Sequence, residues 1–176
     1  MLNPPTMDEL CRRFFAAVPR YERVETMPEP YGTLLMHTNH MTVTVENYFQ
    51  QLVDVEVLAT DLTGSDYTRK ILLRTQGSRR VVQFGIVLID LETLDDKVRR
   101  EILAGDTPLG RVLIQNNVLT RVEPMEYVRV TADEGFAEWF AIDAGTELYG
   151  RLGVIHAGER RAVEVLEVLA PISSGR

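Results

Sequence analysis

The chain has 176 residues, of which 45% are hydrophobic and 26% are charged, and this composition is typical of one globular domain with a substantial core. The net charge of −7 argues against a general nucleic-acid-binding surface, which needs a basic patch to neutralise phosphates. Any site for an anion must therefore depend on local positive charge.

The cellular compartment is indicated by what the chain lacks. Cys11 is the only cysteine, which excludes an intrachain disulfide and fits a reducing compartment. No apolar run is long enough to cross a bilayer, and the first residues lack the basic start and apolar middle of a signal peptide. We therefore expect a cytoplasmic protein without a membrane span.

Two helical patterns come first in the chain. Thr6 is placed to cap a first helix, which Pro19 ends. Its apolar residues recur at four-residue spacing: Leu10, Phe14 and Val18. The segment 21–32 contains two prolines and is predicted to be a loop. A second helix is predicted over 40–52, where apolar residues follow a helical period.

Strand patterns surround a central helical pair. Alternation from Val53 predicts a strand, and 66–90 is predicted to form two strands joined near Gly77. A helix follows from Glu92 to Ala104, ends at a glycine and precedes a short second helix after Thr107. From Val118 onward we predict strands, separated by turns near 133–135, 144–145 and 157–158.

This order of elements predicts an α+β fold with a mostly antiparallel sheet in a single domain. Within that domain, residues 1–32 are expected to form an N-terminal helix and loop. Residues 33–171 are expected to form the core, and residues 172–176 a tail.

The junction "GDTPLGRVL", Gly105–Leu113, is a candidate anion site. Thr107 is placed as a helix cap and Pro108 as the first helical residue. The N–H groups of Leu109 and Gly110 then lack an intrahelical acceptor at the positive end of the helix dipole, where a carboxylate or phosphate fits. The alternative is an ordinary capped helix whose free N–H groups face water.

Two charged residues, Arg69 and Glu167, share their strand faces with apolar residues only. A buried charge needs a partner because its desolvation is costly. One alternative is that these residues pair with each other or reach solvent at a strand end. The other is that they flank a ligand with a carboxylate at one end and a hydroxyl at the other.

Metal and nucleophile motifs are not found. The histidines are His37, His40 and His156, and no cysteine or further histidine lies near the first two in sequence. A zinc site usually assembles three or four such ligands, so no metal is expected. The sequence has neither a Gly-x-Ser-x-Gly elbow nor a P-loop.

Several motifs resemble those of the chorismate pyruvate-lyase family, especially its chorismate lyase-like branch. The most specific is "GDTPLGRVL" followed by "VLTR" at 118–121. Weaker matches are "HMT" at 40–42, "RKILL" at 69–73 and "LEVLAP" at 166–171. The resemblance covers roughly 35–171.

The resemblance implies a cofactor-free chorismate lyase that converts chorismate to 4-hydroxybenzoate and pyruvate. The implied partners are this substrate and product, with no nucleic acid, and the chain is expected to be a monomer or a small homo-oligomer. The family's two helical flaps, here 92–104 and 107–117, would cover an enclosed ligand cavity.

The resemblance also implies roles for individual residues. Arg69 and Glu167 would be catalytic, with Arg69 binding the aromatic carboxylate and Glu167 contacting the ring hydroxyl. The main-chain N–H groups of Met41 and Leu109 would assist Arg69, and Gly110 would leave room for the ligand.

One departure concerns a second cation. The best-known branch has a Gly-Arg pair at the place where this chain reads Gln83-Phe84-Gly85, without an arginine. Arg121 and Arg151 are candidates to replace it at the enolpyruvyl carboxylate. The alternative for both is a solvent-facing charge on a strand.

Two other functions remain open. A related fold serves as the effector-binding domain of GntR-type transcription regulators, so the chain could be a non-catalytic sensor of a small aromatic acid. Because few residues precede Leu35, we do not expect a full DNA-binding winged helix before it. The third candidate is a lyase for another chorismate-derived substrate.

Overall fold

Seven β-strands and six α-helices form the chain in the computed structural model, which describes residues 5–172. The strands are β1 Tyr21–Arg23, β2 Val53–Thr63, β3 Asp66–Thr75, β4 Val81–Asp90, β5 Thr120–Thr131, β6 Glu147–Ala157 and β7 Arg160–Leu169. The helices are α1 Met7–Cys11, α2 Tyr31–Leu35, α3 Met41–Phe49, α4 Asp96–Ala104, α5 Leu109–Gln115 and α6 Glu134–Phe140. The prediction of a single α+β domain is confirmed. The predicted tail lies outside the described residues from position 173 onward.

All the strands belong to one antiparallel sheet, in the order β1-β5-β6-β7-β4-β3-β2. The last strand in sequence, β7, lies between β6 and β4. It therefore joins the two halves of the sheet and brings Glu167 to within two strands of Arg69 on β3.

One face of the sheet packs against α1 and α6. Phe84 of β4 is fully buried there and stacks on Trp139 of α6, with ring centroids 5.0 Å apart. Cys11 of α1 belongs to the same cluster, and burial raises the pKa of its thiol to about 12. Because a reactive cysteine needs a thiolate, Cys11 is an inert part of the core.

The opposite face is covered by α2 to α5. Its core has two parts, one around Val98 of α4 and Val112 of α5, the other around Leu35 of α2 and Val45 of α3. Ile71 of β3 belongs to the second part. The candidate site lies on this face.

Several regions differ from the prediction. The first helix ends at Cys11 and does not continue to Pro19, and α4 begins at Asp96 and not at Glu92. The helix α2 was not predicted. The predicted loop 21–32 contains β1, which pairs with β5 at the sheet edge. A three-residue strand is too short to produce an alternating pattern, so β1 could not be predicted from the sequence. The turn signal at 133–135 instead begins α6, because the Asp133 side chain caps this helix by accepting from the Phe136 N–H at 3.0 Å.

Candidate ligand-binding site

A small cavity of about 40 Å³ lies between the sheet and the first turns of α3 and α5. Most of its wall is apolar and comes from Val55, Ile71, Leu73, Val87, Ile155 and Val165. Of the two predicted flaps, 107–117 covers the cavity through the first turn of α5, whereas the prediction for 92–104 is wrong. The first turn of α3, rather than α4, is the other part, since α4 contributes no lining residue.

Arg69 is a buried cation without a counter-ion. It is 1% exposed and lines the cavity. Its Nη1 donates to the Ile102 carbonyl at 3.4 Å, while its Nε has no hydrogen-bond partner. No carboxylate of the described residues lies within ion-pair distance of its guanidinium. Burial lowers the pKa of Arg69, and the hydrogen bond and charge interaction with Tyr67 partly offset this shift. Arginine nevertheless keeps its charge in proteins.

Glu167 also lines the cavity, but its charge is neutralised by Arg151. These residues are cross-strand neighbours on β7 and β6. The Arg151 Nε donates to the Glu167 carboxylate at 2.7 Å. Of the two alternatives for Arg69 and Glu167, a mutual ion pair is therefore excluded, and neither residue reaches solvent at a strand end.

The remaining donors of Arg151 hold the segment that connects α2 to α3. Its Nη1 donates to the His37 carbonyl at 2.8 Å, and its Nη2 donates to the Asn39 carbonyl at 3.0 Å. Arg151 is 1% exposed and is not part of the cavity wall. The alternative of a solvent-facing Arg151 is wrong, and the guanidinium of this candidate binding residue is already engaged by protein groups.

Arg121, the other candidate cation, lies away from the cavity. Its side chain is exposed and forms an ion pair with Glu123 at 3.0 Å. It lines a separate open groove beside α3 and α5. His40 lines both this groove and the cavity, and its ring contacts the Thr120 hydroxyl at 2.9 Å.

The helix α5 begins one residue later than predicted. Pro108 is its N-cap residue, with φ −54° and ψ 139°, so Leu109 is the first helical residue. The proline ring permits this extended geometry as readily as the helical one. No side chain caps α5 or α3, where His40 is the N-cap residue.

Gly110 lets the first turns of α3 and α5 meet. A Cβ atom added to Gly110 would lie 2.9 Å from the Thr42 hydroxyl oxygen and 3.2 Å from the His40 Cβ. Contacts this short require a neighbour to move. Met41, Leu109 and Gly110 consequently all reach the same cavity as Arg69.

Two polar residues of the cavity were missed by sequence reasoning. Gln83 is 3% exposed, and its Oε1 has no hydrogen-bond partner. Thr42, in the first turn of α3, is also buried at the cavity. The signal for Gln83 was available, because it is the one polar residue in an otherwise apolar strand start, "VVQFGIVLI".

Residues 5–172 contain neither a cluster of metal-ligating side chains nor a helix that could span a membrane. No group of three or more histidine, cysteine, aspartate or glutamate side chains there could hold a metal ion. Over the same residues, none of the helices combines the length and apolar character needed to span a bilayer.

Comparisons by sequence find no matching protein-family model and no matching curated protein. Comparison by structure finds PhnF from Mycobacterium smegmatis, with a TM-score of 0.58 and 12% identity, covering 77% of this chain and 65% of that chain. The effector domain of PhnF has the same TM-score of 0.58, with 13% identity and coverage of 75% of this chain and 88% of the domain. This chain thus spans less than two thirds of whole PhnF.

A third match is the ligand-binding domain of a candidate GntR-family transcriptional regulator from Bordetella bronchiseptica. Its TM-score is 0.52 at 12% identity, covering 70% of this chain and 92% of that domain. The fold of this chain is similar to the folds of these regulator domains. At these identities the likeness establishes the fold alone, and the ligand has to be argued from the cavity.

These matches correct the prediction of an enzyme. The chorismate lyase resemblance identified a related fold, but the neighbours described are regulatory ligand-binding domains and not lyases. The prediction that the chain is a lyase is therefore wrong, and the alternative of a non-catalytic binding domain is the better supported one.

Proposed function

We propose that this chain is a non-catalytic sensor domain that binds a small aromatic carboxylate in the cavity around Arg69. The observation that carries the proposal is the guanidinium of Arg69, which is buried without a counter-ion. A buried unpaired charge is costly to maintain. A ligand carboxylate would supply the missing charge and the missing hydrogen-bond acceptor.

The charges around the cavity favour a ligand with one negative charge. Glu167 and Arg151 neutralise each other, so Arg69 leaves a single net positive charge. The rest of the wall is mainly apolar, which suits a hydrophobic ligand body. Between Ile71 and Glu167 the sheet carries Gly85, and the Ile71 side chain packs over this glycine, so this part of the wall is apolar as well.

The size of the cavity implies that the cover must open. Its volume of about 40 Å³ holds roughly three water molecules, less than an aromatic acid requires. We propose that the first turns of α3 and α5 move apart when the ligand enters. The open groove that shares His40 with the cavity provides the route. A cytoplasmic location, expected from the single cysteine, belongs to the same proposal.

Calorimetry with benzoate, 4-hydroxybenzoate and benzamide tests the proposal. Benzamide matches benzoate in shape but lacks its charge, so the two acids should bind and the amide should bind far more weakly. Arg69→Met should weaken binding of both acids by about 100-fold, which is typical for loss of a buried charged partner. Arg74→Met is the matched control, because Arg74 lies on the same strand but forms a surface ion pair with Glu56.

Two results would contradict the proposal. Equal affinity for benzoate and benzamide would show that the cavity does not recognise charge. Unchanged acid binding by Arg69→Met would show that the acids bind elsewhere. Incubation with chorismate separately tests the absence of catalysis, since pyruvate released above the spontaneous rate would overturn that part.

A further inference from the structure

Gln83 is the second unsatisfied polar group of the cavity. Gln83 is only 3% exposed, and its Oε1 has no hydrogen-bond partner. Burying an amide oxygen without a donor costs free energy. Its position in the cavity wall offers a purpose, since a ligand can supply the donor.

Gln83 and Arg69 lie toward opposite ends of the cavity. Arg69 is paired in the sheet with Val87 of β4, and Gln83 is paired with Leu73 of β3. Gln83 and Val87 are four residues apart on the same face of one strand, which corresponds to about 13 Å. An elongated ligand can therefore contact both side chains at once.

Glu167 also lines the cavity, but it lies opposite Gly85, between the two ends, and its Oε2 accepts from Arg151. At the end opposite Arg69, the buried acceptor without a hydrogen-bond partner is the Gln83 Oε1.

We infer that Gln83 is a specificity-determining residue that selects aromatic acids with a hydrogen-bond donor, a hydroxyl or amino group, at the end opposite the carboxylate. This inference rests on the proposed function of Arg69. The donor on the ligand would bond to the Gln83 Oε1, and acids without it would leave that oxygen unpaired. A site built in this way rejects analogues that lack the donor.

The matched acids 4-hydroxybenzoate and benzoate test the inference, because they differ only in the hydroxyl. The wild-type chain should bind 4-hydroxybenzoate about tenfold more tightly than benzoate in calorimetry. In Gln83→Met this preference should disappear while benzoate affinity stays within about twofold. Gln83→Leu is a second variant, to be used if the Gln83→Met protein fails to fold.

Thr68→Val is the control, because Thr68 has another buried unpartnered oxygen but lies on the opposite face of β3 from Arg69. It should leave the preference unchanged. A preference that persists in the folded Gln83 variants, or that is absent from the wild type, overturns the role of Gln83. If Arg69→Met no longer binds either acid while Gln83→Met keeps the wild-type preference for 4-hydroxybenzoate, the proposed function stands and the role of Gln83 is overturned. Failure of the wild type to bind either acid would overturn both.

Discussion

The Glu167 carboxylate accepts its hydrogen bond from Arg151, at 2.7 Å across neighbouring strands, and not from Arg69. This arrangement divides three buried charges into one neutral pair and one free cation. The pair fastens β6 and β7 to the connection between α2 and α3, whereas the free cation faces the cavity. Under the proposed function, stability and ligand binding would thus depend on different arginines.

Arg69→Met should stabilise the ligand-free protein by about 1–3 kcal/mol. The substitution removes a buried charge that has no counter-ion and places an apolar side chain of similar length among Ile71 and Val87. Urea unfolding without ligand measures the change. A loss of stability would mean that the guanidinium is better solvated than its 1% exposure indicates.

Arg151→Met or Glu167→Gln should each reduce the free energy of unfolding by about 3–5 kcal/mol, because each leaves one buried charge without its partner. Combining Arg151→Met with Glu167→Gln should cost less than the sum of the single changes. Urea unfolding of the three variants completes a double-mutant cycle. Strictly additive losses would refute an ion pair between these residues.

Gly110→Ala should destabilise the protein by about 1–3 kcal/mol, because the new methyl group collides with Thr42 and His40. Gly135→Ala is a matched control, since Gly135 is likewise the second residue of its helix, α6. Its nearest neighbours would lie at an ordinary 3.4 Å. The control should be neutral or stabilising by about 0.5–1 kcal/mol. Thermal melts compare the two, and equal effects would show that the close approach of α3 and α5 is unimportant.

Acidification should destabilise the protein through His37 and His40. Burial lowers the pKa of both rings from 6.5; the Arg151 guanidinium lowers both further, and Glu167 partly offsets the shifts. The unfolded chain therefore takes up protons near pH 6.5 while the folded chain stays neutral at these rings. The contribution of these two histidines to stability is fully present above pH 6.5, and the free energy of unfolding falls as the pH drops below it.

Melting temperatures measured between about pH 7.5 and pH 5.5 check this expectation, since histidine titrates in that range. His37→Gln and His40→Gln should each flatten the pH dependence. Protonation of His37 should destabilise the protein more than protonation of His40. The Nδ1 of His37 accepts a hydrogen bond from the Asn39 N–H at 3.0 Å, and a protonated ring has no acceptor. Slopes identical to that of the wild type would contradict the assignment.

Long elements were predictable from the sequence, and short ones were not. The strands β2, β3 and β4 follow clear alternation or apolar runs, and the stop of α4 is encoded by Gly105, whose φ is +74°. In contrast, β1 has only three residues and depends on its partner β5. The beginning of α6 uses Asp133 and Gly135, which are equally common in turns.

Part of the cavity wall was predicted, but Thr42, Gln83 and the charge pairing were not. Strand phase placed Arg69 and Glu167 in the interior, because alternation depends only on local geometry. The partner of Glu167 depends instead on which strand lies beside β7, and that information is global. The lyase prediction was wrong for a similar reason, since related motifs specify a fold shared by domains with different activities.

The location of β7 has a consequence for protein synthesis. Of the strands described, it is the last to leave the ribosome, yet it lies in the middle of the sheet and supplies Val165 and Glu167 to the cavity. Until it is inserted, β4 and β6 each expose an unpaired edge to other nascent chains. The wall of the cavity is therefore complete only after β7 has been translated and has paired with both neighbours, and a chain truncated before Arg160 would lack this part of the wall.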